Sequence, residues 1–122
     1  MDDASATAER FARQVYQALV IDLSAERLAS FCGAEADKAT DPVFAAIAGL
    51  CRSLTAEQKE AFALAIRQVA TDTLASFLAV VEGDFYLEGF NDGRLKLTYG
   101  SADIGRDIAH LFLAEDERRC DG

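Results

Sequence analysis

One long helix is predicted by residues 55–83, whose sequence is TAEQKEAFALAIRQVATDTLASFLAVVEG. Thr55 and Gln58 have the spacing of a capping box, in which side-chain oxygens accept from the unpaired N–H groups at a helix start. Neither glycine nor proline follows until Gly83, so we expect the helix to cover residues 56–82. At 1.5 Å per residue it would be about 40 Å long, similar to the width of a compact domain of 122 residues.

Apolar side chains are expected on more than one face of this helix. One group follows a single stripe and consists of Phe62, Ile66, Val69, Phe77 and Val80. The other group lies well outside that stripe and consists of Leu64, Leu74, Leu78 and Val81. An apolar arc of that width requires cover on more than one side. The helix is therefore predicted to be either the central helix of the domain or part of a subunit interface.

Shorter helices are predicted upstream of it. Phe11, Val15 and Leu19 recur every four positions, which indicates a helix that begins near Ser5 or Thr7 and ends at about residue 21. Ser24 is expected to cap a second short helix. Asp41 followed by Pro42 is a helix start signal, and it predicts a third helix over residues 42–53.

Beyond the long helix the hydrophobic period changes from that of a helix to that of a strand. Apolar residues alternate on both sides of Asn-Asp-Gly at 91–93, which predicts a β-hairpin over residues 85–99. A last helix is expected over residues 102–114. Residues 1–4 and 115–122 are expected to be frayed tails.

The predicted fold is mainly helical α+β in a single domain, residues 1–122. It has four to five helices around one long central helix, a β-hairpin in the C-terminal half and a final short helix. Apolar residues make up 51% of the chain and there is one proline, a composition that favours helices and a sizeable core.

The net charge of −9 comes from 21 acidic and 12 basic residues. The acidic excess is three over residues 1–40, two over 41–83 and four over 84–122, so it is spread along the chain. Direct binding of nucleic acid is therefore disfavoured, because the sequence has no stripe of basic residues that would contact phosphates. The charge favours solubility and, if it acts in recognition, a basic partner.

Cysteine usage and hydropathy predict a cytoplasmic protein without a membrane partner. Cys32, Cys51 and Cys120 are odd in number and widely spaced, which favours free thiols in a reducing compartment. The first residues do not resemble a signal peptide. The longest apolar runs are shorter than the ~18 residues of a spanning helix.

Residues suited to catalysis are few. His110 is the single histidine, which excludes a metal site with two histidines within one chain, and we predict neither a metal nor a cofactor. Asp107 lies three residues before His110, so the two are expected to share a helix face, and they are the candidate catalytic pair. A pairing of His110 with Cys32 or Cys51 is the alternative. The sequence favours a binding protein over an enzyme.

Two aromatic residues are the candidate partner-binding site. Tyr86 and Phe90 are expected on the strand face opposite Phe85 and Leu87, where one face of a hairpin meets solvent. Exposed aromatic side chains are typical of protein interfaces. The sequence therefore predicts a small acidic protein-interaction domain, such as a regulator, an adaptor or an immunity-type inhibitor, with a homodimer as one form of interaction. The alternative is a small-molecule-binding domain or minor enzyme with a pocket between the helices and the hairpin.

Overall fold

A computed structural model describes residues 3–33 and 41–121 of the chain. Residues 1 and 2 of the predicted N-terminal tail, and residue 122, lie outside the described residues. The fold is mainly helical α+β, with a two-stranded hairpin in the C-terminal half followed by a final helix, as predicted. In chain order the elements are α1 Asp3–Val15, a π-helical segment Tyr16–Asp22, α2 Leu23–Cys32, α3 Pro42–Ser53, α4 Ala56–Glu82, β1 Thr98–Tyr99, β2 Ala102–Asp103 and α5 Ile108–Asp121.

Two compact units divide the chain. The first unit contains residues 1–18 and 71–122, and the second contains residues 19–70. Helix α4 begins in the second unit and ends in the first. The single domain predicted over residues 1–122 stays a prediction.

The core of the first unit lies where α1 packs on α5. The two helices and the π-helical segment that follows α1 contribute apolar side chains that are all less than a tenth exposed: Ala8, Ala12, Tyr16, Ile108, Ala109 and Phe112. The Tyr16 and Phe112 rings lie 5.6 Å apart between centroids at an interplanar angle of 50°. Alanines on α1 allow the backbone of α5 to approach closely, so the two aromatic rings fill the space between the helices.

Helix α5 is displaced towards the C-terminus relative to the predicted helix over residues 102–114. It begins at Ile108 because residues 102–103 pair in the hairpin instead. It continues to Asp121, where the sequence predicted a frayed tail. The buried Glu115 explains this, because its carboxylate binds two arginines one turn further along the same helix.

The hairpin forms at a different place from the one predicted over residues 85–99. Its strands pair antiparallel with Thr98 opposite Asp103, and Gly100, at φ +60°, lies in the turn that joins them. A tight hairpin turn at residues 91–93 requires positive φ values there. The residues with positive φ between the end of α4 and β2 are instead Gly83, Gly89 and Gly100. The backbone between α4 and β1 is therefore irregular, and the predicted first strand over residues 85–90 is wrong.

The helix boundaries of the second unit follow local capping signals. The Asp41 carboxylate accepts hydrogen bonds from the backbone N–H groups of Val43 and Phe44 at 2.8 and 3.2 Å. Thr55 and Gln58 form the reciprocal capping box, with hydrogen bonds of 2.9 and 3.1 Å. Both predicted helix starts are confirmed.

Ser24 does not cap a separate helix. The backbone remains helical from α1 through the π-helical segment into α2, and Ser24 lies buried within α2. The predicted break between the first two helices is therefore wrong. A polar side chain followed by apolar residues marks a cap only where the preceding backbone leaves the helix.

A disulfide joins Cys32 at the end of α2 to Cys51 in α3, with Cα atoms 5.5 Å apart. The prediction of free thiols is therefore wrong for these two residues, which the packing of α2 on α3 brings together. The adjacent Phe31 and Phe44 rings are 5.5 Å apart between centroids. Cys120 is exposed, with its sulfur 3.7 Å from an Asp116 oxygen.

Helix α4 keeps much of its apolar surface exposed. Its buried residues are Thr71, Leu78 and Glu82, whereas Leu64 and Phe77 are more than 60% exposed. Among the described helices, α4 alone is long and apolar enough to cross a membrane, by length and composition only. The core helix of a soluble protein passes the same test, so the absence of a membrane partner stays a prediction.

Candidate functional site

The single histidine lies against the end of α4. His110, in the first turn of α5, places its Nδ1 atom 2.6 Å from Oε1 of Glu82, the last residue of α4. The Glu82 side chain is 4% exposed and that of His110 is 71% exposed. The hydrogen bond to Glu82 and the negative charge of Glu82 raise the pKa of His110, against a smaller effect of burial. The pair therefore favours an imidazolium on a buried carboxylate.

Asp84 joins this pair through a sharp turn after α4. Gly83 adopts φ +98°, and the N–H groups of Gly83 and Asp84 both donate to the carbonyl of Ala79 at 3.0 Å. Glycine suits this conformation because it carries no Cβ. One ligand atom each of Glu82, Asp84 and His110 lies within 4.8 Å of the others. We call these three residues the Glu–Asp–His cluster.

Glu82 also has an unsatisfied atom. Its Oε1 oxygen is hydrogen-bonded to His110, whereas Oε2 is buried and has no hydrogen-bond partner among the described residues. A buried carboxylate oxygen without a partner costs free energy, because it has lost its water without replacing it. The cluster therefore has two carboxylates and one imidazole, with one acceptor still unmatched.

The predicted pairing of His110 with Asp107 is replaced by the contact with Glu82. Asp107 precedes α5, where its carbonyl accepts from the N–H of Leu111 at 2.9 Å. Its charge contributes only the smallest of the effects that raise the pKa of His110. Catalysis by His110 and Asp107 stays a prediction. The alternative pairing with Cys32 or Cys51 is wrong for the disulfide-bonded protein, since neither residue offers a thiolate.

No spacing signal in the sequence links Glu82 to His110, which follows 28 positions later. The sequence does show that Glu82 and Asp84 flank the helix-ending Gly83. Acidic residues are unfavourable at a helix C-terminus, where the backbone carbonyls already carry partial negative charge. Two acidic residues at the predicted C-terminus of a helix are therefore the sequence feature from which Glu82 and Asp84 could have been identified.

The candidate partner-binding residues Tyr86 and Phe90 are 61% and 65% exposed. They lie in the irregular backbone after α4, so the prediction that they occupy the strand face opposite Phe85 and Leu87 is wrong. All four line one depression of about 300 Å³ together with Leu95. We call the depression formed by these five side chains the aromatic concavity, and Glu82 lies among its other lining residues.

A larger concavity of about 560 Å³ lies in the first unit among α1, β2 and the start of α5. Its charged lining residues are Glu9, Asp103, Arg106 and Asp107. The Nε atom of Arg106 lies 3.9 Å from Oδ2 of Asp103, so these two charges form an ion pair within the lining. This concavity lies between helices and hairpin, and Asp107 is one of its lining residues. The pocket expected for the alternative function stays a prediction.

Comparison of the chain with known protein families, curated proteins and solved structures finds no match. The features that bear on function are the aromatic concavity, the Glu–Asp–His cluster and the charge of the chain.

Proposed function

We propose that the protein is a small acidic interaction domain that binds another protein through the aromatic concavity. The observation that carries this proposal is the exposure of its five apolar side chains, which ranges from 47% at Leu95 to 65% at Phe90. Grouped apolar side chains at a surface are unfavourable in water, and they are typical of surfaces that a partner covers.

The chemistry of the concavity suits a protein partner. Phe85, Tyr86 and Phe90 offer large flat contact areas, and aromatic side chains of this kind often dominate binding energy at protein interfaces. A volume of about 300 Å³ is at the small end of ligand pockets. It accommodates one or two inserted side chains more readily than a large cofactor.

The net charge of the chain, −9, favours a basic partner. Asp84, Glu88 and Asp92 are exposed acidic residues in the segment that forms the concavity, although Arg94 is a basic residue in its lining. Opposite charge accelerates the encounter of two proteins and contributes to specificity more than to affinity. A regulator, adaptor or immunity-type inhibitor with a basic target would use the surface in this way.

Self-association is a second use of exposed apolar surface, and it would involve α4. Leu64, Val69 and Phe77 on this helix are each more than 60% exposed. A homodimer through α4 would leave the aromatic concavity available to a different protein. Light scattering on the full chain over a range of concentrations distinguishes a dimer from a monomer before partner binding is measured.

The test uses the full chain as bait, followed by affinity measurement with the purified protein that it retains. We expect the double substitution Tyr86→Ser and Phe90→Ser to weaken binding by about 100-fold or more, as loss of two central aromatic side chains does at protein interfaces. Tyr99→Ser is the matched control, because Tyr99 is 70% exposed but lies outside the concavity. Equal affinity of the double variant, with its circular dichroism unchanged, would exclude this surface.

The larger concavity favours the alternative function, a small-molecule-binding domain or minor enzyme. Its ligand would lie among α1, β2 and α5, with Asp107 in the lining. A screen of metabolites by thermal shift would detect such a ligand as a rise in Tm. Ala4→Phe would fill part of this concavity and is expected to abolish the rise, whereas Tyr86→Ser is expected to leave it unchanged.

A further inference from the structure

We propose that Glu82, Asp84 and His110 form a binding site for a divalent transition-metal cation of the zinc class. One ligand atom of each residue lies within 4.8 Å of the others. Imidazole nitrogen and carboxylate oxygen are both donors that zinc takes in proteins. This inference does not rest on the proposed function, because it is tested by metal binding and not by partner binding, although Glu82 also lines the aromatic concavity.

The buried Oε2 atom of Glu82 lacks the partner that its Oε1 atom has in His110. The side chain is 4% exposed, yet Oε2 has no hydrogen-bond partner among the described residues. His110 accounts for Oε1 only, and from a position that is largely open to solvent. Buried charges in proteins are paired or coordinate metals. A cation bound by both carboxylate oxygens of Glu82 would satisfy Oε2 as well as Oε1.

The position of the cluster in the fold also favours a cation. Glu82 and Asp84 lie at the C-terminus of α4, where the helix dipole is negative and two further acidic groups are unfavourable. A bound divalent cation would reverse this local imbalance. It would at the same time join the last residue of α4 to the first turn of α5, both within the first unit.

The present geometry needs only a small adjustment to accept the cation. At zinc–ligand distances of 2.0–2.2 Å, two donors of a tetrahedral site lie about 3.4 Å apart. Glu82 Oε1 and His110 Nδ1 are closer than this, at 2.6 Å, because the proton of a hydrogen bond lies between them. On binding, the cation replaces that proton, which leaves to solvent. Asp84 and His110 are exposed, so their side chains are able to rotate towards it.

Three protein ligands leave the fourth tetrahedral position to water, as in zinc sites that are open to a further ligand. Glu82 is also a lining residue of the aromatic concavity. A cation held here would therefore lie at the edge of that concavity and restrain the backbone that follows α4. Binding is accordingly expected to raise the Tm of the protein.

The test is titration of the chelator-treated full chain with zinc chloride by calorimetry, without reductant so that the disulfide stays intact. We expect one zinc per chain, and we expect His110→Ala and Asp84→Asn each to weaken binding by at least about tenfold. Glu88→Gln is the matched control for charge, since Glu88 is exposed and outside the cluster. Cys120→Ser is the control for binding at the exposed thiol.

Cobalt provides a second readout. The bound cobalt spectrum should show d–d bands without a thiolate charge-transfer band, since the donors are nitrogen and oxygen. The proposal would be overturned if the wild-type chain bound no zinc, or if binding survived in both His110→Ala and Asp84→Asn. Loss of binding in Cys120→Ser would overturn it as well. Both test residues are exposed, so the test does not depend on Glu82→Gln, which alters a buried side chain.

Discussion

The Tyr16 hydroxyl donates a hydrogen bond of 2.6 Å to Oδ1 of Asp116, which joins residues 100 positions apart in the sequence. Arg119 covers the same ring, with its Cζ atom 5.1 Å from the centroid. Its guanidinium also donates to Gln17 at 2.7 Å. These contacts attach the C-terminal half of α5 to the start of the π-helical segment that follows α1, and with the Glu115 ion pairs they explain why α5 extends beyond its predicted end.

Phe112→Ala is expected to lower the free energy of unfolding by about 3–5 kcal/mol, because it leaves a cavity beside Tyr16. The Phe112 side chain is fully buried. Phe77→Ala is the matched control and should cost less than about 1 kcal/mol, since Phe77 is 61% exposed. Urea denaturation followed by circular dichroism measures both. Equal losses in the two variants would contradict the core assigned to α1 and α5.

Glu115 is expected to make stability depend on pH. Burial raises the pKa of this carboxyl, but the hydrogen bonds from Arg119 and Arg118 outweigh that effect, so its pKa is lowered from 4.5. A carboxyl whose pKa is lower in the folded state stabilises the fold above its unfolded pKa. That contribution is lost as pH falls from about 4.5 through the lower folded pKa.

Glu115→Gln should therefore destabilise the protein at pH 7, and the difference from wild type should shrink as the pH falls below about 4.5. Glu117→Gln is the control on the same helix, because Glu117 is exposed. Chemical denaturation at a series of pH values gives the two curves. A constant difference between wild type and Glu115→Gln would show that the arginine contacts do not stabilise the folded state.

Reduction of the Cys32–Cys51 disulfide is expected to lower the free energy of unfolding by about 3 kcal/mol. The cross-link spans a sequence separation of 19 residues, and closing a loop of roughly this length restricts the unfolded chain by about that amount. Cys32→Ser with Cys51→Ser should reproduce the loss, whereas Cys120→Ser should not.

The oxidised protein should be two mass units lighter than the reduced protein, since forming one disulfide removes two hydrogens. Free thiols at both positions in protein isolated under alkylating conditions would contradict the cross-link. Disulfides persist mainly in oxidising compartments, so the same measurement on protein from its native cells also tests the predicted cytoplasmic location.

Gly83→Ala is expected to destabilise the end of α4 by about 1–2 kcal/mol, because its φ of +98° is unfavourable for a residue with a Cβ atom. A Cβ there would meet no atom within 4 Å, so the cost comes from the backbone alone. Gly93→Ala is the matched control, since Gly93 has the same open surroundings without a positive φ. Thermal unfolding of both variants measures the difference, and an equal Tm would contradict the turn that positions Asp84.

Local sequence signals predicted the starts of α3 and α4 and the end of α4. The Asp41 cap and the Thr55–Gln58 capping box each involve groups no more than three residues apart. Gly83 ends α4 through its own backbone conformation. These features depend on side chains and N–H groups that are neighbours along the chain, so the sequence alone was sufficient to locate them.

Contacts between distant residues decided the rest. The Cys32–Cys51 disulfide and the His110–Glu82 pair join positions 19 and 28 residues apart, and neither spacing has a pattern that the sequence reveals. The hairpin lies at residues 98–103 and not around the Asn-Asp-Gly turn sequence. A turn sequence is local, whereas a short strand is stabilised only by the strand with which it pairs. The sequence by itself determined the helical class and the caps of α3 and α4, whereas tertiary packing determined the hairpin and which chemical groups lie in contact.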